Sequence, residues 1–169
     1  MLLIRPVAIV LVSSLGMTAA LPAQAVIVDR VERLLPAENC QAALPAYDGN
    51  IRKRPLAVQN EGDGNAFVTC AMKGTFGAAA IDKEVWVRLI NIGATATSIT
   101  CTLVDGRNLA LSDPLFLTRT ALVPAGGSIE IGWAGADNGG NNYIYPAMSC
   151  GLPPRTGIRY TGRLYEYED

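Results

Sequence analysis

From residue 55 onward the chain is dominated by apolar residues at every second position, the periodicity of a strand with one buried face. Ser98-Ile99-Thr100-Cys101-Thr102-Leu103 is the cleanest case, with Ile99, Cys101 and Leu103 on one face and the hydroxyls on the other. Ala66 to Met72, Glu84 to Ile90, Ser128 to Trp133, Tyr143 to Cys150 and Gly157 to Glu166 follow the same rule. Turn chemistry separates the runs: Asn91-Ile92-Gly93-Ala94, Asp105-Gly106, Pro124-Ala125-Gly126-Gly127 and the polar stretch from Gly135 to Asn142. Pro146 places its strand at an edge or a bulge. No repeat of fixed period emerges. The best helical stripe is Ile27 to Leu35, where Val31, Leu34 and Leu35 would share a short face before Pro36. Six or seven strands joined by short turns predict an all-β fold, an antiparallel β-sandwich.

Residues 1–25 have the layout of a cleaved signal peptide. Arg5 supplies the positive start, Val7 to Ala20 the apolar stretch, and Ala23-Gln24-Ala25 the small-residue cleavage site. The apolar stretch is about 14 residues long, short of the roughly 20 that a spanning helix needs, so no transmembrane anchor is expected. The first cysteine is Cys40, too far from the cleavage site for lipidation. The expected organisation is a leader (1–25), an N-terminal extension (26–39) and a β-sandwich domain (40–169), secreted or periplasmic.

Cys40, Cys70, Cys101 and Cys150 are an even set in an exported chain, which predicts two disulfides. Their wide spacing argues against a zinc site. Four cysteines allow three pairings, and sequence alone does not choose among them. Strand context favours Cys40–Cys70 with Cys101–Cys150. Each bridge would stabilise by about 3–4 kcal/mol in the chain-entropy model.

Composition excludes several functions. The chain has 169 residues, half of them apolar, with 14 basic and 15 acidic residues and no histidine. It has the material for a core, so it is not disordered. Its charge is near balance, so it lacks the basic footprint of a nucleic-acid binder. Without imidazole there is no Ser-His-Asp triad and no His-ligated metal. A glycosidase would need two carboxylates about 5–10 Å apart across a cleft. Asp48, Asp82, Asp105 and Asp113 read instead as scattered turn residues. No enzyme activity and no cofactor are expected.

The candidate ligand-binding residues are Tyr143 and Tyr145, read as an exposed pair opposite the core that could stack on sugar rings. Tyr165 and Tyr167 form a second such pair, whereas Trp86 and Trp133 read as core or sheet-cover residues. The loop Asn60-Glu61-Gly62-Asp63-Gly64-Asn65 has oxygens that could assist with calcium, although loops of this composition also serve simply to turn the chain. Arg52-Lys53-Arg54 reads as a solvated segment, with an acidic polymer as the alternative partner.

Cys40, Asn60, Val68-Thr69-Cys70, Val85-Trp86-Val87, Ile99-Thr100-Cys101-Thr102-Leu103, Cys150-Gly151-Leu152-Pro153 and Ile158-Arg159-Tyr160 with Glu166 form a skeleton. It resembles that of a loosely defined group of small uncharacterised secreted proteins of Gram-negative bacteria, with four cysteines and a β-sandwich. Ala71 departs from the proline common there, and the last strand is about two residues longer, which suggests a bulge at Gly162. The resemblance implies architecture and carries no activity. The expected function is an exported, non-enzymatic binding or structural module acting on an envelope protein or a glycan. The alternative is a carbohydrate-binding domain with a tyrosine face, with or without assistance from calcium.

Overall fold

The computed structural model describes residues 27–72, 82–106 and 114–168. The leader and Asp113 lie outside them. Eleven strands are present among the described residues, in place of the six or seven expected. They are β1 (Ile27–Leu34), β2 (Cys40–Ala42), β3 (Ile51–Arg54), β4 (Ala57–Asn60), β5 (Ala66–Ala71) and β6 (Asp82–Asn91). The rest are β7 (Thr97–Asp105), β8 (Leu115–Val123), β9 (Ser128–Ala134), β10 (Pro146–Leu152) and β11 (Thr156–Glu168). A single helical turn, α1 (Pro36–Asn39), separates β1 from β2.

The first sheet runs β3-β4-β11-β6-β9, with β1 also on β11, and the second runs β2-β5-β10-β7-β8. Every pairing between these strands is antiparallel. Val58, Val85, Val87, Leu89 and Ile158 of the first sheet meet Val68, Ile99, Leu103, Met148 and Leu152 of the second in one core. The fold is therefore the expected antiparallel sandwich, and the alternation is its cause: each strand offers one apolar face, which only a second sheet can bury.

The disulfides are Cys40–Cys70 and Cys101–Cys150, the favoured pairing. In both, the cysteines are direct cross-strand partners within the second sheet. Each bridge thus ties two neighbouring strands, β2 to β5 and β7 to β10, rather than one sheet to the other.

Several local expectations are corrected. Residues 27–34 form a strand, not a helix. They pair with β11 residue for residue, from Ile27 opposite Glu168 to Leu34 opposite Thr161, so this part of the expected extension belongs to the first sheet. Its Val31, Leu34 and Leu35 mimic a helical stripe, but a long partner strand overrides local propensity. Strand β10 is central, not at an edge; Pro146 is tolerated as its first residue. The bulges in the β11–β6 pairing fall at Arg159 and Lys83, not at Gly162.

A repetition that escapes a search for long periods also emerges. Asn60-x-Gly62 with Val68-Thr69-Cys70 recurs as Asn91-x-Gly93 with Ile99-Thr100-Cys101, each residue 31 positions later. Both copies carry the chain from the first sheet to the second. Each asparagine is buried, donates to the carbonyl four residues on, and accepts from the glycine amide two residues on. Each also donates across to the second sheet, Asn60 to Leu152 O at 2.7 Å and Asn91 to Val123 O at 3.1 Å. The turn between β10 and β11 locks into the same end. Arg155, in the left-handed region at φ 62°, donates its amide to Asn60 O and accepts from the Ile92 amide.

At the other end, Arg163 of β11 is buried between two carboxylates, Glu32 of β1 at 2.6 Å and Asp82 of β6 at 3.2 Å. Asp82 is 1% exposed, and its Oδ2 finds no hydrogen-bond partner among the described residues. Burial pushes its pKa up to about 6, with Arg163 opposing and Glu32 and Asp105 reinforcing the rise. The folded state thus holds this proton more tightly than the unfolded chain. Ionising the group as pH rises from about 4 to 6 and beyond costs about 3 kcal/mol. The melting temperature is expected to rise as pH falls from 7.5 to 5, and Asp82→Asn should flatten that slope. An unchanged slope in the variant would place the effect elsewhere.

Candidate functional site

Tyr143 and Tyr145 do not form an exposed pair. Tyr143 is fully buried, donates its hydroxyl to Ala134 O at 2.7 Å and bridges by its backbone to Asp82. Tyr145 is half-buried, and its amide donates to Asp105 Oδ1 at 3.0 Å. The strand begins only at Pro146, so the parity read backwards from Cys150 fails before it. Ile144, expected inside, is 43% exposed. The Asp105 carboxylate also accepts from the Ile144 amide, so it clamps this irregular segment. Asp82 and Asp105 are accordingly buried strand-end residues with structural partners, rather than turn residues. Tyr165 lies under the Arg163 guanidinium, 4.3 Å from its ring centre.

The loop from Asn60 to Asn65 is engaged in its own closure. Asn60 is used as described above, and Glu61 pairs with Arg54 at hydrogen-bond distance. Among the described residues no three acidic or thiol side chains converge as metal ligands would. In the basic run, Arg52 and Lys53 donate to the carbonyls of Asp48 and Ala37.

The arrangement best suited to a ligand lies on the outer face of the first sheet. Outward positions along β6 are Glu84, Trp86, Arg88 and Ile90. Trp86 is flanked in register by two glycines, Gly162 on β11 and Gly132 on β9. A methyl on Gly162 would overlap the indole at Cε2, Nε1 and Cζ2, and one on Gly132 would press on its Cβ at 3.2 Å. The missing side chains therefore let the half-buried indole lie over Gly162 of β11. Trp133, by contrast, is a core residue at 1% exposure.

Polar groups frame this ring. Tyr160 donates to Glu130 Oε2 at 2.7 Å, which holds its hydroxyl above the usual tyrosine pKa, and Arg33 lies 5.7 Å from its ring centre. Arg88 donates twice to Ser128 Oγ, at 3.2 and 3.0 Å. On one side, Trp86, Glu84, Glu130, Arg119 and Asp137 line a cavity of about 240 Å³. Arg119 and the Ala134 amide hold the Asp137 carboxylate, and the amide is the main reason its pKa is lowered. At the Ile90 end of β6, Ile90, Ser128, Gln59, Arg159 and Leu56 line a separate cavity of about 310 Å³. Outward residues of β6 reach both cavities. No local sequence signal marks this site, because the glycines opposite Trp86 are paired to it only through long-range register.

The class defined by these features is a disulfide-bonded β-sandwich with an aromatic platform on one outer face. The fold is similar to that of a xylan-binding module, CBM15, with a TM-score of 0.50 and 11% identity over 81% of this chain and 97% of that one. Weaker likenesses include a CBM61 module solved with β-1,4-galactotriose (TM-score 0.35, 12% identity, 83% of this chain and 88% of that one). Another is a structure from work on promiscuous carbohydrate-binding modules of the β-sandwich superfamily (TM-score 0.37, 12% identity, 86% of this chain and 55% of that one). At these identities the likeness is one of fold. No protein-family model matches the chain, and no curated protein matches it.

Gly162→Ala should lift the indole from its seat. Acrylamide quenching of tryptophan fluorescence is expected to rise, because Trp86 becomes more accessible while Trp133 stays in the core, with a stability loss of about 1–3 kcal/mol from overpacking. Unchanged quenching would mean that the ring does not rest on Gly162.

Proposed function

We propose that the protein is a non-catalytic carbohydrate-binding module that contacts its ligand through the outer face of the first sheet. The observation that carries this reading is the Trp86 indole seated on Gly162 and lining a cavity on the outer face of the first sheet. A sugar ring offers an apolar C–H face and a polar hydroxyl rim. A flat aromatic with hydrogen-bonding side chains around it matches both. Glu84, Glu130, Arg88 and Tyr160 are placed to meet the rim. The distant likeness to CBM15 is consistent with this reading through the fold alone. The role is non-enzymatic: the buried carboxylates Asp82 and Asp105 serve Arg163 and a backbone clamp, not a reacting group. The two disulfides suit an oxidising compartment, hence export to the periplasm or beyond. No helix among the described residues is long and apolar enough to cross a membrane.

The test is a glycan-array screen of the exported, disulfide-intact chain, with and without EDTA. Saturable binding is expected that survives EDTA and weakens at least tenfold in Trp86→Ala. Binding abolished by EDTA but indifferent to Trp86 would support calcium at residues 60–65 instead. No binding by a folded sample to any glycan would leave a structural or protein-binding role.

A further inference from the structure

The two outer faces of the sandwich differ sharply in charge. The first presents Glu84, Arg88 and Glu130 outward. From the five described strands of the second, no Asp, Glu, Lys or Arg points outward. Arg119, the basic residue of β8, belongs to the opposite parity and pairs with Asp137 at the side of the sandwich. In place of charge there is a row of hydroxyls. Register sets Thr69, Ser149, Thr102 and Thr118 side by side across four adjacent strands, with Gln41 beyond Thr69. Neighbouring strands lie about 4.8 Å apart, so the row is regular. Two residues along β7, Thr100 and Thr120 form a second pair, 2.8 Å between hydroxyl oxygens, beside the 2.9 Å contact of Thr102 with Thr118. Each such contact uses one hydrogen and leaves lone pairs and a second hydroxyl hydrogen for a ligand.

Beside the row lies an aromatic ring seated as Trp86 is. Phe67, 48% exposed, is the register partner of Gly151. A methyl on Gly151 would meet the Phe67 ring at 3.3 Å, so the ring extends over the glycine toward the middle strand of the sheet. Tyr47 stands 6.1 Å away at a tilt of 46°.

We propose that this face is a second binding surface, for an uncharged, hydroxyl-rich polysaccharide. Two observations select that occupant. On the described strands the absence of charge removes electrostatic attraction for a polyelectrolyte and the desolvation cost of ions against a neutral polymer. The flat ring beside hydroxyls matches the two characters of a sugar. The next row along the strands, Ala71, Ala147, Val104 and Phe116, is uncharged as well. This inference shares the ligand class of the proposed function but uses other residues on the opposite side of the molecule.

The experiment is co-sedimentation of the disulfide-intact chain with insoluble β-1,4-glucan and neutral xylan, and with a polyuronate gel for comparison. Phe67→Ala and Thr102→Lys are made alone and in the Trp86→Ala background, with circular dichroism and melting as fold controls. Thr102 points outward, so its variant keeps the core intact if loss of Phe67 disturbs folding. In the Trp86→Ala background each change is expected to lower binding to the neutral polymers at least tenfold. If Trp86→Ala abolishes binding and the second-face variants are silent, the second surface is refuted and the first reading stands. If the second-face variants abolish binding and Trp86→Ala is silent, the second surface stands and the first reading fails. Sedimentation showing a dimer that Thr102→Lys disperses would overturn the proposal, since a second copy would then cover the face.

Discussion

Two buried asparagines close one end of this sandwich. Asn60 and Asn91 terminate neighbouring crossings from one sheet to the other, and each side chain reaches a carbonyl of the opposite sheet. Both polar atoms of each side chain are engaged, so that one amide closes its own loop and bridges the two sheets at once. A buried amide with its bonds made specifies geometry, because removing it leaves backbone groups unpaired inside the core. The spacing from each asparagine to the following cysteine is the same, so the crossing also delivers Cys70 and Cys101 inward at matching depth. The disulfides then fasten strands within the second sheet, and Arg163 with its two carboxylates binds β1, β6 and β11 in the first.

With the interior fixed in this way, the outer faces are free to carry chemistry. Both use the same device, a glycine opposite an aromatic residue on the neighbouring strand, which removes the Cβ that would prop the ring upright. Around Trp86 the device is combined with charged and phenolic groups, and around Phe67 with the Tyr47 ring and uncharged side chains. One construction thus yields a polar, cavity-flanked platform and a flat, neutral one.

Much of the architecture was legible in the sequence, because it depends on local alternation. Ile99, Cys101 and Leu103 announce their buried face without reference to a partner, and strand context sufficed to favour the correct cysteine pairs. What failed depends on partners distant in sequence. β1 reads as a helical stripe until β11, more than 120 residues later, is laid beside it. Tyr143 was misplaced because alternation was extended through a segment whose backbone is held by Asp82 and Asp105 instead of a regular ladder. Arg119 obscured β8 by standing at an inward position of an edge strand, where it can reach Asp137. The candidate platform was illegible for the same reason: nothing local to Trp86 shows that Gly132 and Gly162 will be its neighbours.

The central claim is that the Trp86 surface meets a sugar, and amide-resolved NMR during titration with a neutral oligosaccharide addresses it most directly. The account predicts that the Trp86 indole N–H and the backbone amides of Gly132, Tyr160 and Gly162 shift together and saturate in parallel. Shifts confined to residues 60–65 and 91–95, with the indole signal unmoved, would contradict it.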